Sequence, residues 1–261
     1  MVKVYPQIKI WEQEPGIIGV YKQIEKAGRV CYQSVGNTPE AFFNRVVKDG
    51  HLSVLRHGTI YLTVPFDAES IINFYIDDPY SYVYCGTYET YITTNMQVIV
   101  DNKRQDDLMY MTSPAPEHEK RVTVDIICSI GISREFNRQS PNNICEQSTR
   151  FCNFSKDKFG NDVQCCMPSC EDDSEGFDFF LESITRSTDD YLTLINKYKW
   201  KPQFARDALP LATKTEVVYT NFVSKKEPSW KHFLELRTSF KAHPDAQVVA
   251  NMIKKELNGY L

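Results

Sequence analysis

The polar stretch at residues 133–153 contains the side chains of this chain that are best suited to chemistry. It carries three arginines, two glutamates and two glutamines, and few apolar residues follow Phe136. Such a density of hydrogen-bonding groups is typical either of a solvated surface loop or of a site for an anionic, highly polar ligand.

Residues 146–150 offer hydrogen-bond donors and acceptors of several kinds. They are Glu146, Gln147, Ser148, Thr149 and Arg150. A carboxylate accepts hydrogen bonds, hydroxyl and amide groups both donate and accept, and a guanidinium donates two in parallel. This inventory suits a nucleotide, which presents a phosphate, a sugar hydroxyl and a base edge.

Other arginines could join this site. Arg134 and Arg138 would share one face of a helix if residues 133–138 are helical, and an anionic ligand would relieve their mutual repulsion. Arg56, Arg206 and Arg237 lie elsewhere in the sequence. Each is either a member of a surface ion pair or a bidentate partner for phosphate or a pyrimidine edge.

The composition predicts a globular protein with a single domain over residues 1–261. The chain has 261 residues, of which 42% are hydrophobic and 25% charged, enough for a substantial core. A formal net charge of -4 argues against a broad basic face for nucleic acid. The N-terminus lacks the apolar segment of a signal peptide, and no apolar run reaches the roughly 18 residues of a membrane span. We therefore expect a cytoplasmic protein without nucleic-acid or membrane partners.

The eight cysteines are expected to be reduced thiols. Cys165, Cys166 and Cys170 form the densest group, but their spacing does not match a zinc motif and no second ligand pair lies nearby in the sequence. We predict loop or core thiols there, and no metal site.

Helical and strand-like segments alternate along the chain, which predicts an α+β fold. Helices are predicted at residues 17–32, 38–50, 177–198, 229–237 and 244–258, and strands at residues 58–66, 121–130 and 215–223. Residues 161–177 are predicted to form a loop, and the pattern of residues 67–102 does not separate helix from strand.

The polar stretch resembles the signature of the flavin-dependent thymidylate synthases. That signature is an Arg-His-Arg triplet followed after seven residues by Ser, often within "EQSTRY"; this chain has Arg138-Gln139-Ser140 and then Ser148 within "EQSTRF". Four further segments resemble family motifs in the same order. They are "AGRVCYQS", "GHLSVLRH", "ARDALP" and "WKHFLELR" followed by "AHP". Five ordered motifs are much more specific than one.

The resemblance implies a central antiparallel sheet flanked by helices, and a homotetramer with active sites shared between subunits. It also implies conversion of dUMP to dTMP, with methylenetetrahydrofolate as carbon donor, NADPH as reductant and FAD as the hydride-delivering cofactor. Arg237 matches the arginine that faces the uracil ring and favours ionisation at N3. Arg150 would be the phosphate partner, while Glu135 and Arg138 match positions near the nucleotide of a neighbouring subunit.

With the polar inventory, the resemblance implies a substrate site formed by Glu135, Arg138, Glu146, Gln147, Ser148, Thr149, Arg150, Arg206 and Arg237. It implies a flavin site formed by Ser53, Arg138, Gln139, Ser140, Glu146 and His232. For Ser53 and His232, hydrogen bonding to nearby backbone is the alternative.

The chain departs from the family pattern at the flavin site. Gln139 and Ser140 replace the His and second Arg of the triplet, Arg56 replaces a Glu, and Phe151 replaces a Tyr. Arg56 could compensate for the lost positive charge. Two alternatives therefore stay open: flavin-dependent C5-alkylation of another pyrimidine nucleotide such as UMP, or a catalytically inactive protein that binds dUMP.

Overall fold

The computed structural model describes residues 1–34, 36, 38–139, 143–172 and 174–261. The strands are β1 Val2–Val4, β2 Gln7–Trp11, β3 Thr59–Pro65, β4 Tyr82–Cys85, β5 Glu89–Asn95, β6 Arg121–Ser129, β7 Ile144–Glu146, β8 Gln164–Cys166 and β9 Lys214–Phe222. The helices are α1 Gly16–Tyr32, α2 Pro39–Lys48, α3 Glu69–Asp77, α4 Met96–Asp101, α5 Ile130–Phe136, α6 Glu175–Asn196, α7 Pro202–Ala205, α8 Trp230–Arg237 and α9 Pro244–Glu256. Short 3-10 helices cover Leu52–His57, Gln105–Tyr110, Asp157–Phe159, Arg206–Ala208 and Leu257–Gly259. Antiparallel sheets with packed helices confirm the predicted α+β class, whereas the single domain over residues 1–261 stays a prediction.

A four-stranded antiparallel sheet, ordered β2-β6-β9-β7, carries helices on both faces. Its two central strands pair from Arg121 opposite Phe222 to Ser129 opposite Lys214. Because side chains alternate along a strand, the apolar residues of β6 at 122, 124, 126 and 128 point to one face. β7 at the edge ends at Glu146, so the polar residues 147–150 directly follow the point where this sheet stops.

α1 packs on one face of this sheet, close against α2. The buried side chains of Val20, Ile24 and Ala27 share a core with Val218 of β9. A Cβ at Gly28 would lie 2.5 Å from the ring of Phe42, so the two helices can approach this closely only because residue 28 has no side chain.

α5, α8 and α9 pack on the opposite face. Trp230 at the start of α8 is fully buried, and its indole N–H donates to the Val122 carbonyl at 2.9 Å. The rings of Phe136 and Phe233 meet edge to face with centroids 5.0 Å apart. This packing fixes α5 and α8, the two helices whose polar ends matter for the site.

Residues 67–102, which the sequence pattern does not resolve, form α3, β4, β5 and α4. β3, β5 and β4 make a second, three-stranded antiparallel sheet. Arg121 of β6 connects the two sheets from a buried position, donating to Thr59 Oγ1 at 3.2 Å and to the Arg56 carbonyl at 2.8 Å.

The prediction of a loop over residues 161–177 was wrong in part. β8 lies in this range and pairs in parallel with β1, a partner from the other end of the sequence. Ser174 caps α6, accepting from the Phe177 N–H at 3.2 Å, so the helix starts earlier than predicted. Burial raises the pKa of Cys165 to about 11 and that of Cys166 to about 12. Within the described residues, no three His, Cys, Asp or Glu side chains are grouped to hold a metal ion.

Candidate functional site

An open cavity of about 480 Å³ lies beside α5 and collects residues from three parts of the sequence. Five predicted substrate ligands line it: Glu146, Gln147, Ser148, Thr149 and Arg206. The other lining residues are Ile130, Arg134, Asn137, Asp207, Leu209, Pro210 and Leu211. The cavity therefore combines an apolar wall with carboxylate, hydroxyl, amide and guanidinium groups.

α5 presents one face to this cavity. Ile130, Arg134 and Asn137 follow one another at spacings of four and three residues, which places them on the same side of a helix. Ser129 caps the helix by accepting from the Ile132 N–H at 3.2 Å, and Asn137 ends it. Glu135 points to a different cavity, on the other side of α5.

The Glu146 carboxylate is held by three side chains. Its oxygens accept from Ser133 Oγ at 2.6 Å, Thr215 Oγ1 at 3.1 Å and Asn137 Nδ2 at 3.2 Å. Tyr219 donates its hydroxyl proton to Asn137, which fixes that amide in turn. Glu146 is therefore a preorganised acceptor, with lone pairs left for a ligand.

The turn after β7 is tied to the end of α1. The Ser148 N–H donates to the Cys31 carbonyl at 2.9 Å, and the Gln147 N–H donates to the Glu216 carbonyl at 2.8 Å. Ser148 Oγ accepts from the Arg150 N–H at 3.3 Å, and no residue that the structure describes accepts its own proton, which leaves this proton for a ligand. These bonds hold the Ser148 and Thr149 hydroxyls at the cavity.

Arg206 reaches the cavity from a different direction. It follows α7 and begins a short 3-10 helix, where its Nε lies 3.9 Å from a carboxylate oxygen of Asp207. Both side chains are exposed, so this ion pair contributes little and leaves the guanidinium available.

Arg237 is not among the residues that line this cavity. At the end of α8 it donates to the Glu135 carbonyl, and its Nη1 lies 3.5 Å from Glu135 Oε2. Burial lowers the pKa of Arg237, while the Glu135 carboxylate acts in the opposite direction. The predicted ligands of one chain therefore form two separate groups on different sides of α5. One group lines the cavity, and the other is Arg237 with Glu135.

Two more predicted substrate residues lie outside the cavity. Arg138 lies two residues beyond Phe136, the last residue of α5, so it does not share a helical face with Arg134 as expected. It lies 3.7 Å from the Glu135 carboxylate instead. Arg150 is exposed, with its guanidinium 5.2 Å from the ring centre of Phe151.

A comparison with protein families matches the thymidylate synthase complementing protein family over residues 89–260, which is more than half of the chain. The chain belongs to this family. It is the family of the flavin-dependent thymidylate synthases, so thymidylate synthesis and dependence on a flavin apply at the level of the family. No curated protein matches the chain. None of the helices in the described residues combines the length and apolar character needed to cross a bilayer.

The predicted flavin ligands of this family member differ in their exposure and in their hydrogen bonds within the chain. Arg138 is 73% exposed and His232 48% exposed, with only a 4.0 Å approach between His232 and a carboxylate on its own helix. Gln139 is engaged: its Nε2 donates to the Ser229 carbonyl at 3.2 Å, and its Oε1 accepts from Asn221 at 3.4 Å. Ser140 lies outside the described residues. The exposed side chains of Arg138 and His232 fit an anionic dinucleotide. The Gln139 amide is already used in hydrogen bonds within the chain.

Ser53 and Arg56 occupy the 3-10 helix before β3. Ser53 is exposed. Arg56 donates to the Gln97 side chain, and its guanidinium lies 5.1 Å from the ring centre of Tyr80. These contacts direct Arg56 toward α4 and the turn between α3 and β4, and its compensating role stays a prediction.

Sequence reasoning missed part of the cavity. Asn137 and the apolar wall from Leu209 to Leu211 were not predicted, and Arg134 was noted without being assigned to the site. The spacing of Ile130, Arg134 and Asn137 is a signal that could have identified the face of α5 that lines the cavity.

Proposed function

We propose that this chain is a flavin-dependent thymidylate synthase that converts dUMP to dTMP. The observation that carries the proposal is the cavity of about 480 Å³ beside α5. It gathers Arg206 with residues 146–149, although these positions are distant in sequence. A fixed carboxylate, free hydroxyls and a weakly paired guanidinium match the sugar and phosphate of a nucleoside monophosphate.

The position of Arg237 supports an active site shared between copies. In one chain it pairs with Glu135 and does not line the cavity, and we propose that it completes the cavity of a neighbouring copy in a homotetramer. Its pairing with Glu135 fixes the direction of the guanidinium. A fixed positive charge next to the uracil would stabilise negative charge as it develops on the base.

Arg138, His232 and Ser53 would hold FAD, with Glu146 near the boundary between flavin and nucleotide. When bound and reduced by NADPH, the flavin would supply hydride, and methylenetetrahydrofolate would supply the carbon. Glu146 would accept a hydrogen bond from the nucleotide, because its carboxylate is already oriented by its three side-chain donors.

The test is the mass of the nucleotide product. Purified protein is incubated with dUMP, methylenetetrahydrofolate, NADPH and added FAD. A product heavier by one methylene group supports the synthase. Unchanged dUMP, with folded protein and excess flavin, rejects it. Running UMP in parallel tests the other pyrimidine substrate, since it differs by the ribose 2′-hydroxyl.

A second candidate is a catalytically silent protein that binds dUMP. The engagement of Gln139 by Ser229 and Asn221 favours it, because this residue stands where the family has a flavin-binding His. Titrating FAD and following its visible absorbance separates the two. Saturable flavin binding argues against the silent binder, whereas dUMP binding without flavin binding supports it.

A further inference from the structure

Arg134 is a positive charge in the cavity without a partner. Its side chain lines the cavity and is exposed. It makes no hydrogen bond or ion pair with any residue in the described ranges, although Glu146 lines the same cavity. It lies in the last turn of α5, where the helix dipole stabilises a cation. The fold therefore presents this guanidinium to a ligand.

The groups around Arg134 match the oxygens of a phosphate. Arg206 adds a second guanidinium, whose one ion pair within the described ranges is a 3.9 Å approach to Asp207. Ser148 has a proton free to donate, and Thr149 has no hydrogen-bond partner in the part of the chain that the structure describes. Two guanidinium forks with hydroxyl donors are a preferred setting for phosphate.

Glu146 determines which end of a nucleotide lies near the arginines. Its carboxylate is fixed by Ser133, Asn137 and Thr215, and it would repel a phosphate. A sugar hydroxyl can donate to it instead. The phosphate is therefore directed toward Arg134 and Arg206, and the sugar toward Glu146.

Arg150, the phosphate partner expected from the family motif, does not line this cavity. Its guanidinium lies over the Phe151 ring at 5.2 Å. We infer that Arg134 binds the 5′-phosphate of the nucleotide and makes the site select a nucleoside monophosphate over the free nucleoside. This inference rests on the proposed function, since it concerns the same cavity.

The test compares dUMP, UMP and deoxyuridine by isothermal titration calorimetry. The proteins are wild type, Arg134→Gln, Arg134→Lys, Arg150→Gln as the competing phosphate partner, and Arg45→Gln as the matched control, an exposed arginine that does not line the cavity. Arg134→Gln should weaken nucleotide binding about 10- to 100-fold, the effect of removing a charged hydrogen-bond donor, and change deoxyuridine binding less than about twofold. Arg134→Lys should recover part of the loss, because it keeps the charge without the fork.

The outcomes separate this inference from the proposed function. Equal losses for nucleotide and nucleoside, no loss, or a larger loss in Arg150→Gln would each overturn the role of Arg134 while dUMP turnover by wild type stands. Wild type could bind UMP but not dUMP, while Arg134→Gln still weakens nucleotide binding more than deoxyuridine binding. That result rejects the dUMP assignment and keeps the role of Arg134. A wild type that binds no nucleotide rejects both.

Discussion

Replacing Arg237 by alanine is the most direct test of the proposed chemistry. Among the described residues, the guanidinium donates two hydrogen bonds, both to Glu135: one to its carbonyl and one to its carboxylate at 3.5 Å. Losing both should lower the free energy of unfolding by about 1–2 kcal/mol, since each hydrogen bond contributes about 0.5–1.5 kcal/mol. Folding should therefore survive.

The effect on turnover should be much larger. A preorganised charge aimed at the position where negative charge develops typically contributes about 10²–10³ in rate, so Arg237→Ala should lose at least about 100-fold in kcat. Arg237→Lys should fall between Arg237→Ala and wild type, because one ammonium cannot serve both Glu135 oxygens.

The assay is the rate of dTMP formation followed by mass spectrometry, with thermal unfolding measured on the same samples. Lys231→Ala is the matched control, an exposed cation of the same helix. Wild-type turnover in a folded Arg237→Ala protein would refute the assignment. If Arg237→Ala loses turnover only because the protein unfolds, the claim that Arg237 acts on turnover and not on folding would be refuted.

Three further predictions concern the fold and the flavin site. Gly28→Ala should destabilise by about 1–3 kcal/mol through overpacking, whereas Gly176→Ala, which meets only a hydroxyl at 3.7 Å, should stabilise its helix; thermal melts compare them. Burial raises the pKa of Asp125 from 3.8 to about 6, so wild type loses stability as the pH rises through this range. Asp125→Asn should therefore be more stable than wild type by about 1–3 kcal/mol at pH 8 and equal to it at pH 3 in denaturant titrations, and a pH-independent difference would contradict this reasoning. Arg56→Ala should weaken FAD binding several-fold if Arg56 compensates for the altered triplet; FAD affinity equal to that of the exposed control Arg45→Ala eliminates the compensation.

Local sequence signals predicted the elements that have their own start and stop residues. Thr38 and Pro39 begin α2, where the Thr38 hydroxyl accepts from the Ala41 N–H at 3.3 Å. Pro244 begins α9 as expected. The long β6 and β9 strands were also predicted, because both are long and rich in β-branched residues.

Elements that depend on distant partners were not predictable. β8 has only three residues and exists through pairing with β1, and the elements within residues 67–102 are each too short for a clear period. The candidate site shows the same limit. The motif residues were identified along the sequence, but their division by α5 depends on where that helix ends, and a boundary is the least predictable property of a helix.

α5 has only seven residues, yet it carries Arg134 on one side and Glu135, the partner of Arg237, on another. One residue added or deleted before Arg134 would rotate the rest of the helix by about 100°. The cavity would then lose Asn137, and Arg237 would lose its partner. Side chains of this helix can be exchanged one at a time, but its length cannot change without disturbing both groups together, so insertions and deletions should be far less tolerated here than substitutions.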